Sequence, residues 1–359
     1  MAVTICRAAR LGRARCLSLW GCALLILQCL TNAASAGYEE GAAAFERGDY
    51  KIALEELSPL AEAGDPYSEW LVAVMYRDRL GMGTPPDKAT SDEWKATALK
   101  FMRRAAEHDV PYAMVDLAQM YMQKRWGPPD PDAARKLVTR AAELGTPDFA
   151  LSLGMMYYEG ENYFQIPQNH SDALLWVRRS ADQQFALAEY VMGVMLEQGR
   201  AIPADVNGAI DWYTRAANQG VPSAQGSLGD LYYHGTKVER DCALAMKWLQ
   251  AAADQDVGYA QYMLGRIFET GDCASKDLVQ AYVWYSNAWF KGCGYIREHA
   301  MDARHRLEGQ MTESQYRDAE ETWRLWKPTI PPDLGERLYM YHAPHVEWPR
   351  SFCGWEELG

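Results

Sequence analysis

Catalysis needs a nucleophile, a base or a metal at defined spacing, and this sequence supplies few of them. Ser-x-x-Lys, which sets a lysine one helical turn from a nucleophilic serine, occurs nowhere in the 359 residues. Gly-x-Ser-x-Gly, a P-loop, Gly-x-Gly-x-x-Gly and His-Glu-x-x-His are missing as well, and Glu298-His299 has no second histidine at the required position. His342 and His345, in YHAPHVEW, are close enough in sequence to face one cation. Pro344 breaks the helix that would align them, so no metal site and no cofactor is expected. The dithiol Cys-x-x-Cys is also absent, and the chain reads as a non-enzyme. What it offers instead is aromatic side chains. DLVQAYVWYSNAWFKG, residues 277–292, holds Tyr282, Trp284, Tyr285, Trp289 and Phe290. Such a stretch is either a stacking box for a ligand or the inside of a fold, and the elements around it decide which.

The beginning of the chain is separate from the rest. Arg7, Arg10, Arg13 and Arg15 precede the apolar run LSLWGCALLILQCL, and Ala34-Ser35-Ala36 then offers a small-x-small cleavage site before Gly37. A basic flank, a short apolar core and this tripeptide are the three parts of a secretory signal. The run is shorter than the ~20 residues a spanning helix needs. We therefore expect residues 1–36 to be a signal peptide cleaved after Ala36, a periplasmic or secreted product, and no membrane insertion after cleavage. Beyond residue 36 the formal charge is −16, against −12 for the whole chain. Nucleic-acid and anionic-membrane partners require basic faces and are not expected. Cys242, Cys273, Cys293 and Cys353 remain after the leader, an even number with three possible connectivities.

Periodicity explains the aromatics. Trp176, Trp212, Trp248 and Trp284 are spaced by 36 residues, each preceded three residues earlier by alanine (Ala173, Ala209, Ala245, Ala281). Gly193, Gly229 and Gly265 keep the same interval, as do Gly199, Gly235 and Gly271. Each unit reads as two helices, A and B. In PSAQGSLGDLYYHG the apolar residues share one helical face, Gly235 is placed to end helix A in the left-handed conformation, and Asp241 is placed to cap helix B. The small residue within helix A (Gly229, or Ala73 and Ala118 earlier) costs helix propensity, up to ~1 kcal/mol for glycine. Another helix must therefore approach closely there. Helix pairs begin near Gly37, Pro66, Pro111, Pro147, Leu187, Pro222 and Gly258, with longer loops in GMGTPPDKATSDEWK and ENYFQIPQNHS. Two further helical segments follow, the second opening on a Thr312/Gln315 capping box. The division expected is a solenoid over 37–327, with about seven pairs and capping helices, and a proline- and aromatic-rich tail over 328–359.

The pattern Leu-Gly-x-x-Tyr-x-x-Gly, then Asp-x-x-x-Ala-x-x-Trp, then Ala-Ala, resembles the Sel1-like repeat, a relative of the tetratricopeptide repeats. SLGDLYYHGTKVERDCALAMKWLQAAADQ carries it in full, and the resemblance covers roughly residues 37–327. It implies an all-α fold, a right-handed α/α superhelix of antiparallel helix pairs, acting as an adaptor for a protein or peptide. A scaffold for polysaccharide or envelope assembly, with a glycan partner, is the alternative. A penicillin-binding or β-lactamase-like activity, described for some cysteine-rich secreted relatives, is disfavoured by the absent Ser-x-x-Lys. By register with tetratricopeptide arrays, Tyr67, Trp70, Tyr112, Tyr158, Tyr190, Tyr233, Tyr259 and Tyr262 are expected on or near the concave face lined by the A helices. Tyr76, Tyr121, Tyr157, Tyr232 and Phe268 are expected in the core. Stacking of successive units would bring Cys242 near Cys273, and a Cys293–Cys353 bond would staple the tail. Within the opening stretch, Trp284 belongs to the tryptophan column. Trp289 and Phe290 replace small and polar residues of other units and are expected to meet the capping helices or the tail.

Overall fold

The computed structural model describes residues 37–329 except positions 86, 161 and 293. The leader, residues 330–359, His342, His345 and the Cys293–Cys353 pairing lie outside the described residues. Those described form sixteen consecutive α-helices, and no strand occurs among them. The chain is an α/α solenoid. It divides into two compact units, one ending at Ala141 and the other beginning at Ala142. The first contains α1 (37–46), α2 (Tyr50–Ala63), α3 (Pro66–Asp78), α4 (Lys88–Glu107), α5 (Pro111–Met122) and most of α6 (Pro131–Leu144). The second contains α7 (Pro147–Glu159), α8 (His170–Ala181), α9 (Ala186–Gln198), α10 (Val206–Asn218), α11 (Pro222–His234) and α12 (Cys242–Asp254). It continues through α13 (Gly258–Thr270), α14 (Leu278–Lys291), α15 (Gly294–Glu308) and α16 (Glu313–Leu325). Odd-numbered helices up to α13 are A helices and even-numbered ones up to α14 are B helices.

Each boundary has a local cause. The last three B helices open on an Asp cap: the Asp241 side chain accepts from the Ala243 and Leu244 amides, Asp277 from Val279 and Gln280, and Asp205 from Gly208. Four A helices carry proline in the first turn, where no amide is missed. Helix α11 ends at Gly235 with φ +62°, and its amide bonds the Leu231 carbonyl. Thr312 and Gln315 form the reciprocal capping box at the start of α16.

The expected close approach inside each repeat is present. A β-carbon placed on Gly193 would stand 2.5 Å from the ring of Tyr213 on the facing B helix. One on Gly229 would meet both the side chain and the backbone nitrogen of Leu249, the latter at 3.0 Å. In the first unit, Ala73 and Ala118 hold the same position and are fully buried. The alanine column Ala173, Ala209, Ala245 and Ala281 has no exposed surface at all. Trp248 joins Leu228 and Leu231 of its own repeat to Ala209 and Tyr213 of the preceding one, and Trp284 likewise joins Ile267 to Leu249. The column is thus inter-repeat core, which settles the first half of the 277–292 question.

The end of the array settles the second half. Tyr282, Val283, Tyr285 and Ala288 form one core with Ile296, Ala300 and Leu307 of α15 and Ala319 of α16, and Trp289 packs against it. The Arg304 guanidinium lies 5.0 Å from the Trp289 ring. Phe290 does not join that core and is 62 % exposed; the tail, its other expected partner, lies outside the described residues. Adjacent helical residues point about 100° apart, and Phe290 falls beyond the arc of α14 that α15 and α16 cover. Beyond α16, Trp326 meets Trp284 edge-on at 6.1 Å, and the Thr329 amide donates to the Asp254 carbonyl at 2.7 Å. Cys242 and Cys273 stand at disulfide distance, with Cα–Cα 5.0 Å, tying the start of α12 to the loop after α13. Trp289→Ala should therefore loosen α15 and α16 while the earlier repeats stay folded. Limited proteolysis should then cut first within 294–325, and an unchanged cleavage pattern would refute this.

Candidate functional site

In the first unit the A helices bring four aromatics together. Tyr67, in the first turn of α3, is exposed. Trp70, one turn on, donates its indole N–H to Asp116 of α5 at 2.8 Å. Tyr112, also exposed, stacks on Trp70 with ring centroids 5.2 Å apart and 23° between planes. Arg77 bonds the other Asp116 oxygen and makes a two-point contact with Asp78. Burial opposes the charge on Arg77, but the hydrogen bonds and fields of these two carboxylates outweigh it and raise its pKa. The phenol of Tyr38 on α1 is pushed above its ordinary range by burial first, then by Asp65, Tyr67 and Glu46. Tyr38, Tyr67, Trp70 and Tyr112 thus run across three successive A helices.

The second unit treats its tyrosines differently. Tyr158 and Tyr233, expected on the open face, are buried. The reason is a volume exchange between the two helices of a repeat. Where the B helix presents Tyr213 or Tyr285 against the A-helix glycine, the A residue one turn later is Glu197 or Glu269. Each glutamate accepts the phenol hydroxyl, at 2.8 and 2.7 Å respectively. Where the B helix presents the shorter Val177 or Leu249, the A residue one turn later is Tyr158 or Tyr233, which fills the space from the other side. One phenol occupies each slot. Their outer ends are capped by Arg200, 5.0 Å over Tyr158, and Arg240, 5.4 Å over Tyr233. Burial raises the pKa of all four phenols.

The remaining expected positions are half-buried. Tyr190 lies 5.8 Å from Tyr213, and Tyr262 lies 5.6 Å from Tyr285. Tyr259 donates to Asp230 of the preceding A helix. Tyr76, Tyr121, Tyr157, Tyr232 and Phe268, expected in the core, are also only half-buried. An A helix is contacted by its own B helix, the preceding B helix and neighbouring A helices, so its buried arc is wide. Both members of a Tyr-Tyr pair then reach it. Among the described residues, no group of three or more His, Cys, Asp or Glu could hold a metal.

A periodic polar network went unread in the sequence. Glu189, Gln225 and Gln261 recur every 36 residues in the first turn of helix A and are buried. The Gln225 and Gln261 amides donate to Ala217 and Ala253 carbonyls at the end of the preceding B helix. Gln219 and Gln255, also 36 apart, donate to Glu189 and Gln225 from the B helix of the same repeat. Glu69 has the corresponding role in the first unit, paired with Arg104 at 2.6 Å and His108 at 2.9 Å. The available signal was a polar residue recurring in an otherwise apolar helical face.

Two outcomes follow from these geometries. Tyr233→Glu and Leu249→Tyr should each destabilise alone, by about 1–3 kcal/mol through a lost or an overpacked ring. Together they recreate the Glu197/Tyr213 arrangement, and the double variant should recover at least ~1 kcal/mol in a double-mutant cycle. Additive losses would sink the exchange argument. The second concerns Glu189, whose carboxyl burial pushes above the ordinary glutamate range, against the pull of Arg215 and Gln219. A raised folded pKa gives stability that is full below the unfolded value of about 4.3 and is lost as pH rises through the folded pKa. Glu189→Gln, which installs the side chain of Gln225 and Gln261, should remove that loss. The urea midpoint of the variant relative to the parent should rise with pH above about 4.3; a pH-independent difference would contradict this.

Comparison with known proteins follows the same register. The Sel1 repeat profile matches six consecutive units, residues 66–110, 111–146, 147–185, 186–221, 222–257 and 258–288. A Sel1 repeat protein from Oxalobacter formigenes superposes with TM-score 0.53 at 29% identity, over 67% of this chain and 66% of its own. This chain thus spans about two-thirds of the length of that relative. The c5321 protein, a protective antigen present in uropathogenic Escherichia coli strains displaying an SLR fold, is similar in fold. It has a TM-score of 0.55 at 24% identity, over 86% of this chain and 71% of its own. No curated protein matches the chain. The six matched units span well over half of the sequence, in the register of the tryptophan, alanine and glycine columns, and the chain belongs to the Sel1 repeat family.

Proposed function

We propose that this protein is an exported scaffold that binds a protein or peptide segment on its A helices, in the periplasm or outside the cell. Sel1 repeats are interaction modules and generally not catalytic, so the fold supports a protein partner in general terms. The observation that carries the finer reading is the row of exposed aromatics, Tyr67 and Tyr112 with Trp70 between them, on adjacent A helices. Tyrosine and tryptophan supply contact area at low conformational cost and keep a polar tip, which suits recognition of extended segments. The arginine-flanked leader supports export, and a cysteine pair at disulfide distance fits an oxidising compartment. No helix among the described residues is long and apolar enough to cross a membrane. A glycan partner is the second reading, because the stacked Trp70–Tyr112 pair also suits the face of a sugar ring.

A photo-crosslinking residue at position 112, on the A side, and at position 175, on the B side where Leu175 is exposed, tests the proposal in intact cells. Position 112 should yield discrete protein adducts in the envelope or medium fraction, on a chain beginning at Gly37. Position 175 should yield few. Equal adducts at both positions, or a chain retained inside the cell with its leader attached, would overturn the reading.

A further inference from the structure

Charge is segregated between the two kinds of helix. The seven A helices carry twelve carboxylates and two arginines, whereas the seven B helices carry fourteen lysines and arginines and eleven carboxylates. In the first unit α1, α3 and α5 hold Glu39, Glu40, Glu46, Glu69, Asp78 and Asp116 against Arg77 alone. Glu69 is buried and paired with Arg104 and His108, and Glu40 lies 3.7 Å from Arg47. That leaves Glu39 and Glu46 as the exposed acids outside these pairs and those of Arg77. Arg77 offers no free positive charge, because Asp78 and Asp116 both bind its guanidinium. Its engagement also fixes Asp116, which in turn holds the Trp70 indole in the plane that lets Tyr112 stack on it. The result is a set of oriented aromatic faces with Tyr67 and Tyr112 open to solvent, within an acidic field from Glu46 and Asp65 near Tyr38.

We infer that the Tyr38–Tyr67–Trp70–Tyr112 surface of the first unit recognises a basic peptide segment, with arginine or lysine side chains lying over the ring faces. The inference rests on the scaffold reading above and names the chemistry of its partner. A guanidinium over a tyrosine or tryptophan face is attracted by the ring quadrupole, and the carboxylates nearby add a field of the same sense. An acidic partner would meet the carboxylates of Glu46 and Asp65 there, so the surface selects by charge as well as by shape. The B helices, with bases in slight excess, have no such preference. The geometry favours arginine over lysine, since a planar guanidinium stacks as well as pairs.

Fluorescence anisotropy with the purified protein tests this, using labelled peptides of about ten residues that alternate serine with arginine, with lysine or with glutamate, plus a neutral serine–proline control. The arginine peptide should bind best, the lysine peptide less well, and the other two not measurably. Raising salt from about 0.05 to about 0.3 M should weaken the arginine complex several-fold, as expected for partly exposed ion contacts. Tyr67→Ala combined with Tyr112→Ala, both exposed side chains, should weaken it roughly tenfold or more with no change in the thermal melt. If the double variant melts early, Glu46→Lys at an exposed position provides the independent check and should weaken the same complex. Binding of the neutral or acidic peptide as tightly as the basic one would overturn the charge inference and leave the peptide-scaffold reading in place. No binding of any peptide would remove support from both, and displacement of the arginine peptide by chitohexaose would move the site to the glycan reading.

Discussion

The distance between helix A and helix B within a repeat is the constraint on which this structure depends. It is set where Gly154, Gly193, Gly229 and Gly265 meet Val177, Tyr213, Leu249 and Tyr285, close enough that a β-carbon on any of the four glycines would overlap its neighbour. A larger residue there would push the two helices apart. The alanine column would then lose contact, and the tryptophans that bridge to the neighbouring repeat would lose their seats. Glycine weakens a helix, yet it recurs in four consecutive A helices because the packing it permits outweighs the propensity it forfeits.

Close packing also dictates where tyrosines go. Beside each glycine there is room for one phenol ring, supplied by helix B in two repeats and by helix A in the other two. Its hydroxyl must be satisfied once buried, which is why Glu197 and Glu269 accompany Tyr213 and Tyr285. Those glutamates are in turn met by Lys237, in the loop after α11, and by Arg306 of α15, each beyond the glutamate's own repeat. Within the second unit, the same side chains therefore fill the core, satisfy it and join one repeat to the next. The latch of Glu189, Gln225 and Gln261 repeats this logic at the other end of helix A. There, buried polar groups fix the contact between successive repeats through their need for partners rather than through area.

Function enters where that packing is incomplete. In the second unit the large A-helix tyrosines are mostly absorbed by the core or half-covered by their neighbours. In the first unit Tyr67 and Tyr112 are not, and the surrounding A helices bear almost only carboxylates. A surface that orients aromatic rings through a buried-edge carboxylate, Asp116, and leaves them exposed is organised for contact with something outside the chain. The acidic character of the sequence thereby acquires a direction, because most of its unbalanced charge resides on one set of helices.

The sequence by itself determined the repeat, the helix pairs and their caps, and the tryptophan and alanine columns. These rest on interactions within one helix or on a fixed 36-residue interval, and both are local enough to read off the chain. It also determined that a helix must press on the small-residue column, while of the three cysteine connectivities it left open the structure brings Cys242 to Cys273. Tertiary structure alone decided which of two adjacent tyrosines is buried, as with Tyr157 against Tyr158 and Tyr232 against Tyr233. That choice depends on the volume left by Val177 or Leu249, residues on another helix and 16 to 20 positions away. It likewise decided that Trp289 turns inward and Phe290 outward, because the arc of α14 that α15 and α16 cover ends between them. Periodicity fixes the frame, and the space left by facing side chains decides which residues remain at the surface.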